Sequence, residues 1–122
     1  MRRLSIAVCL ILAAAVTTQA WAKRAGPKPV PPVVHDGVKY VALNANGREG
    51  TVEARDEKTG KKLWSAVIYK VKIDPRLEED VQWVFITALE RQDNSLLVTS
   101  EKGARFKLDL KTRNVETVKK SP

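Results

Sequence analysis

Few side chains of this sequence are suited to chemistry, and they lie in two places. His35 stands beside Asp36, and four carboxylates occur within residues 74–80. A Ser-His-Asp hydrolase needs both a histidine and a nucleophile held in a sharp strand-to-helix elbow. None of the serines after residue 22 has such a sequence around it: Ser65, Ser95, Ser100 and Ser121. No triad is therefore predicted, and His35 is expected to be an exposed residue of a linker.

The four carboxylates of this acidic segment are Asp74, Glu78, Glu79 and Asp80. Calcium binds several oxygens that converge from one loop, but the spacing here matches no EF-hand and the segment has no glycine. Paired carboxylates can also hydrolyse glycosides, although a small β domain leaves little room for a sugar cleft. The segment is predicted to be a solvated loop or a helix N-terminus, with metal binding left open. No catalytic residue, metal ligand or cofactor is predicted.

Alternating apolar residues indicate the elements that carry these side chains. From residue 38 onward the dominant period is two, and turn-forming residues interrupt it. Seven strands are predicted, over residues 38–43, 51–56, 62–73, 81–89, 96–100, 105–110 and 115–118. The acidic segment is the longest connection between them. The sequence thus predicts an all-β fold, a small antiparallel meander with blade-like sheets that forms a sandwich or a partly closed barrel.

The apolar positions of the strands predict the core. Residues 81–89 are apolar on both faces, which is typical of a strand in the middle of a sheet. Trp64, Trp83 and Phe85 are assigned to the core for the same reason. Alternation points Val52 and Ala54 inward, with Phe106, Leu108 and Leu110. The residues of the same two strands that are predicted to face solvent are Thr51, Glu53, Arg55, Arg105, Lys107 and Asp109.

Two segments precede the β domain. A pair of arginines, the apolar run 4–16 and the sequence Ala20-Trp21-Ala22 have the pattern of a secretory signal peptide. Residues 1–22 are predicted to be cleaved after Ala22, or alternatively after Ala20. Four prolines make residues 23–35 a Pro-rich linker, and residues 36–120 form the single predicted domain. The expected location is the periplasm or the outside of a bacterial cell.

Charge and strand pattern suggest where a partner would bind. The chain has 22 basic and 14 acidic residues, a formal charge of +8 that is scattered along the sequence. Anionic partners are therefore attracted in a salt-dependent way. Tyr69 is followed by Lys70 and Lys72, which share one face of the predicted strand 62–73. Together with Lys62, these residues are predicted to contact a partner at an open sheet edge, and no specific nucleic-acid site is predicted.

One stretch resembles a known repeat. Residues 51–64 place Asp56 at the end of a strand, Thr59-Gly60 in the following turn and a tryptophan in the next strand. This pattern resembles the blade signature of pyrroloquinoline-quinone-type β-propellers, and residues 109–112 repeat it with Arg113 in place of the glycine. A propeller requires roughly four or more blades of about 40 residues. The chain alone therefore cannot form such a quinoprotein, and no cofactor site is carried over.

Residues 64–87 are also similar to small exported bacterial proteins of unknown function, which adds no chemistry. Because no catalytic group is predicted, the leading hypothesis is an exported, non-catalytic β module that binds or stabilises another component of the cell envelope. Two alternatives stay open. One is a salt-sensitive binder of anionic polymers or lipid head groups, and the other is a hydrolase that uses the carboxylates of the acidic segment.

Overall fold

The computed structural model describes residues 25–118. The predicted signal peptide, the first two residues of the predicted linker and residues 119–122 lie outside this range. The eight strands are β1 Val33–His35, β2 Val38–Ala42, β3 Glu49–Asp56, β4 Lys62–Lys70, β5 Ile86–Gln92, β6 Ser95–Ser100, β7 Arg105–Asp109 and β8 Val115–Val118. A turn of 3-10 helix, η1, covers Asp80–Gln82. Within the described range no helix is long and apolar enough to cross a membrane.

The strands form two antiparallel meanders of four strands. Sheet 1 has the order β1-β2-β3-β4, and sheet 2 has the order β5-β6-β7-β8. The two sheets bury one core between them, to which each contributes four residues: Tyr40, Val52, Ala54 and Ile68 from sheet 1, and Ile86, Leu96, Val98 and Leu108 from sheet 2. The predicted all-β antiparallel fold is confirmed. The sequence predicts either a sandwich or a partly closed barrel, and neither of the two described sheets closes into a barrel.

The predicted core strand 81–89 is wrong. Residues 80–82 form η1, and β5 begins only at Ile86 and continues to Gln92. The apolar run instead bridges the ends of the two sheets. The Val84 amide donates to the Gly47 carbonyl in the β2–β3 loop at 2.9 Å, and the Phe85 carbonyl accepts from the Glu101 amide directly after β6 at 2.9 Å. Residues in such a bridge are buried on two sides without belonging to a ladder.

Two other boundaries differ from the prediction. The Pro-rich segment does not remain a linker up to residue 35, because Val33–His35 form β1 and pair with β2. At the other end of sheet 1, the predicted strand 62–73 stops at Lys70. Beyond that point the Val71 amide still donates to the Arg48 carbonyl at 2.8 Å, so the chain follows β3 before it turns away.

The same turn joins β3 to β4 and β7 to β8. In the first turn, the Asp56 carboxylate accepts hydrogen bonds of 2.9 Å from two backbone amides, and the Asp56 carbonyl accepts one of 2.8 Å from Gly60. Asp109 accepts the same set, at 2.8, 2.9 and 2.7 Å, with Arg113 in the place of Gly60. These backbone amides lower the pKa of both aspartates. The two sheets are thus copies of one supersecondary unit.

The two copies bury opposite faces. When the two sheets are aligned on their equivalent turns, Tyr40 of the core corresponds to Leu97. Leu97 is adjacent to the core residue Leu96, so its side chain lies on the opposite face of β6. Conversely, the buried face of sheet 2 matches the outer face of sheet 1: Leu96 corresponds to Lys39, Leu108 to Arg55 and Val115 to Lys62. The front of one sheet therefore packs against the back of the other.

Polar contacts fix the two sheets to each other. The Asn44 side chain bonds both backbone groups of Ile86, since its Nδ2 donates to the carbonyl at 3.0 Å and its Oδ1 accepts from the amide at 2.9 Å. At the far end, the Arg113 guanidinium lies over the Trp64 ring, 4.6 Å from its centroid. Both contacts join residues that are distant in sequence. The first fixes the β2–β3 loop to β5, and the second fixes β4 to the turn between β7 and β8.

Candidate binding edge

β4 is the sheet edge that is best suited to take up another strand. It is the last strand of sheet 1, and no strand within residues 25–118 pairs with its outer side. It has nine residues, whereas the edge strands β1 and β8 have three and four. Residues 63–69 contain no charge, proline or glycine, whereas the edge strand β5 contains Glu90 and Arg91. A long, uncharged edge of this kind is a template for strand pairing.

Two bulges shape this edge. Leu63 and Ile68 are extra residues on β4, at the two places where its register with β3 shifts. Between them, Trp64–Val67 pair regularly with β3. Because bulges bend and twist a strand, the straight part of the edge is this central stretch. Val67, in this stretch, exposes 44% of its surface, and Leu63, directly before it, exposes 49%. The edge is therefore apolar as well as unpaired.

Three of the predicted contact residues are lysines at the two ends of the edge. Lys62 is the first residue of β4 and Lys70 the last, and both are exposed. Lys72 follows two residues later and is also exposed. Charges in these positions flank the apolar stretch without interrupting it.

Tyr69, the fourth predicted contact residue, does not face a partner. The bulge at Ile68 turns both Ile68 and Tyr69 toward sheet 2, where the Tyr69 ring stacks on Phe106 with a centroid distance of 5.4 Å. Its hydroxyl donates to the Val84 carbonyl at 2.7 Å. Burial, and next the Glu101 charge, raise the pKa of Tyr69 to about 12. Tyr69 therefore packs on the buried face of β4 and fixes this strand to sheet 2.

A row of cations crosses the outer face of sheet 1 and ends at the edge. Lys39 of β2 is directly opposite Arg55 of β3, which is directly opposite Lys62 of β4. The row was not predicted as a site, because it combines three strands and requires the register between them. Arg55 donates to Glu53 at 2.5 Å; Glu53 lies on this outer face as predicted but is only 8% exposed. Like charges directly opposite in a sheet are destabilising, so an acid beside Lys62 would relieve the row.

The acidic segment is organised by basic and aromatic partners of its own. Glu79 accepts from the Arg48 guanidinium, with an Nη2 to Oε1 distance of 2.8 Å, and from the Trp83 indole at 3.0 Å. The Arg48 hydrogen bonds, followed by that of Trp83, lower the pKa of Glu79 to about 2. Arg76 donates to both oxygens of Asp74, which lowers the pKa of Asp74.

The predicted helix N-terminus corresponds to η1. Among residues 25–118, no three His, Cys, Asp or Glu side chains are grouped so that they could hold a metal ion.

His35 also differs from its predicted setting. It lies in β1 opposite Val38, with 22% of its side chain exposed, and its Nε2 is 3.3 Å from an Asp36 carboxylate oxygen. The strand holds the imidazole against the sheet, so it is not a freely exposed linker residue. The sequence missed this strand because only three residues belong to it and two prolines precede it directly.

The residues around the edge combine three features. Exposed aliphatic side chains, unpaired backbone and flanking lysines are suited to an extended, acidic segment of another chain. No protein-family model matches this chain, and no curated protein is significantly similar to it.

Proposed function

We propose that this protein is an exported, non-catalytic binding module that holds another component of the cell envelope at the β4 edge. The observation that carries the proposal is the edge itself, a nine-residue strand whose central residues are uncharged and whose outer side has no paired strand in the described part of the chain. Main-chain hydrogen bonds to such an edge supply affinity, and the side chains beside it supply selectivity.

The two-sheet core makes the edge rigid enough for this role. Trp64 is held by Arg113 from sheet 2, and Tyr69 is held by Phe106 and the Val84 carbonyl. A preordered strand loses little conformational entropy when a partner pairs with it. The lysines at its ends increase the rate of encounter with acidic partners and make that rate sensitive to salt.

The experiment compares two equivalent substitutions in the full-length chain with a C-terminal tag. Val67→Lys adds a charge to the middle of the edge, and Val81→Lys adds the same charge to η1, where the valine is 64% exposed. Capture from envelope extract is expected to retain the partner with the unmodified chain and with Val81→Lys, and to lose it with Val67→Lys. Circular dichroism confirms that both variants fold. Equal retention by the two variants would contradict an edge site.

A second candidate function is supported by the cation row of Lys39, Arg55 and Lys62. Three basic side chains in one cross-strand row could bind an anionic polymer or lipid head groups without any strand pairing. The two functions differ in their response to salt and to substitution. Polymer binding falls steeply between low and physiological salt and is lost in Lys39→Gln, whereas edge pairing depends on Val67 and changes little in Lys39→Gln.

A further inference from the structure

We propose that the segment that pairs with β4 carries an acidic residue at each end of an apolar middle, so that its acids lie beside Lys62 and Lys70. This inference rests on the proposed edge pairing and specifies the partner's chemistry. The nine residues of β4, at roughly 3.3 Å each, span about 30 Å. A protein segment of nine extended residues therefore covers the edge from one lysine to the other, with both of its end residues on one face.

The cation row is the reason to expect an acidic residue at the end of the partner segment that lies beside Lys62. A strand added to β4 extends each cross-strand row of sheet 1 by one residue, so its residue beside Lys62 joins the row of Lys39 and Arg55. Glu53 is bonded to Arg55 in the neighbouring row, and within residues 25–118 Lys62 has no ion pair. Opposite charges across a strand pair are stabilising and like charges are not. An acid beside Lys62 therefore separates this partner from neutral or basic segments.

The second lysine sets the other end and disfavours a second copy of this chain. Two β4 strands that paired antiparallel around Ala66 would bring Lys62 of each copy opposite Lys70 of the other. Both ends of that pair would then be repulsive. In the free protein Lys70 is opposite Glu49 on β3, so an acid on its other side would leave the lysine between two carboxylates.

The central residues of the partner segment are expected to be apolar because the central residues of β4 are apolar. Leu63 and Val67 are about half exposed, and a neighbouring strand with β-branched side chains would cover them. Covering an aliphatic side chain contributes about 25 cal/mol for each Å² removed from water. A phosphate-rich polymer would leave this apolar surface exposed to water. Its phosphates would also be repelled by the carboxylate of Glu53, which lies on the same face.

Three synthetic peptides test the specificity. The probe is Glu-Thr-Val-Thr-Val-Thr-Val-Thr-Glu with blocked termini, whose odd number of residues puts both glutamates and the valines on one face of the strand. The controls replace both Glu by Gln or by Lys. Calorimetry with the full-length protein is expected to give about tenfold tighter binding for the Glu peptide than for the Gln peptide, from two cross-strand charge pairs, and the weakest binding for the Lys peptide. Hydrogen exchange is expected to slow at the amides of residues 63–69.

Charge reversal in the protein completes the test. Lys62→Glu combined with Lys70→Glu is expected to reverse the preference, so that the Lys peptide binds most tightly, whereas Arg91→Glu with Lys102→Glu is expected to keep the original order. Equal affinities with protected β4 amides would overturn the acidic specificity and leave edge pairing intact. No peptide binding and no protection would overturn both, and heparin binding without β4 protection would assign the cations to polymers.

Discussion

Arg113 occupies in the second turn the position that Gly60 occupies in the first, and it keeps a positive φ of +67°. A residue with a Cβ is strained there by roughly 1 kcal/mol relative to glycine. Its guanidinium lies 4.6 Å from the centroid of the Trp64 ring, a cation–π contact that contributes about 0.5–1 kcal/mol at an exposed site. The contact with β4 therefore offsets the strain of the turn.

This balance predicts different outcomes for two substitutions. Arg113→Ala keeps the strain and loses the ring contact, so the free energy of unfolding is expected to fall by about 0.5–1 kcal/mol. Arg113→Gly loses both, and its stability is expected to stay within about 0.5 kcal/mol of the original. Urea denaturation followed by circular dichroism measures both values. A glycine variant less stable than the alanine variant would show that the backbone is not strained.

Glu79 predicts an acid-sensitive connection between β4 and β5. Its pKa of about 2 in the folded protein is below the ordinary value of 4.5, so its ion pair stabilises the fold above pH 4.5. That contribution is lost as the pH falls from 4.5 toward 2. Glu79→Gln is expected to lower the urea midpoint at pH 7 and to have a smaller effect at pH 2. Glu78→Gln is the matched control, and an equal effect of the two variants at pH 7 would contradict the role of Glu79.

Single residues in turns and the inward residues of alternating strands, such as Val52, Ala54 and Leu108, were predictable, whereas residues that depend on contacts distant in sequence were not. Asp56 and Gly60 follow from local turn chemistry, because the aspartate bonds amides only two and three residues away. Tyr69 and His35 depend on distant partners and on strand register, which no local pattern contains. The lysines of the candidate site were predicted from charge alone, but the cation row needed the pairing of three strands.

At the scale of elements, the close approach of β3 and Tyr69 explains the bulge in β4. A Cβ on Gly50 would lie 2.2 Å from the Tyr69 ring, so only glycine lets the ring lie across β3 and reach Val84. Gly50→Ala is expected to lower the free energy of unfolding by about 1–3 kcal/mol. Gly26→Ala, where nothing lies within 4 Å, is expected to be neutral. Thermal unfolding of both variants tests the contact, and equal midpoints would refute it.

The apolar run 81–85 shows where period-based prediction fails for elements. These residues satisfy the composition of a buried strand, yet they form η1 and an irregular bridge, because their backbone groups bond to loops at the ends of both sheets. Burial without a ladder arises only from the way the two sheets meet. The strands with clear alternation on either side of a turn, β3 and β7, were predicted within two residues.

At the scale of the whole molecule, the front-to-back packing of the two described sheets raises the question of whether a further sheet could pack on the outer face of sheet 1. A contact of this kind has different surfaces on its two sides, so further copies could in principle be added. Sheet 1 places Lys39 and Lys62 where sheet 2 has the apolar Leu96 and Val115. Burying those lysines against another sheet without acids would be costly. The cations thus disfavour the packing of another apolar sheet on the outer face of sheet 1.

This reasoning predicts that two substitutions release self-association. Lys39→Leu with Lys62→Val copies the residues of sheet 2 onto the outer face of sheet 1 and keeps the Arg55–Glu53 pair. The variant is expected to form dimers or longer assemblies at roughly tens of micromolar concentration, because the apolar row now matches the buried face of sheet 2. The original chain is expected to stay monomeric under the same conditions. Sedimentation velocity measures this, with Lys58→Leu and Lys102→Val as the control of equal charge and hydrophobicity. Association of the control alone, or of neither variant, would show that the row does not limit assembly.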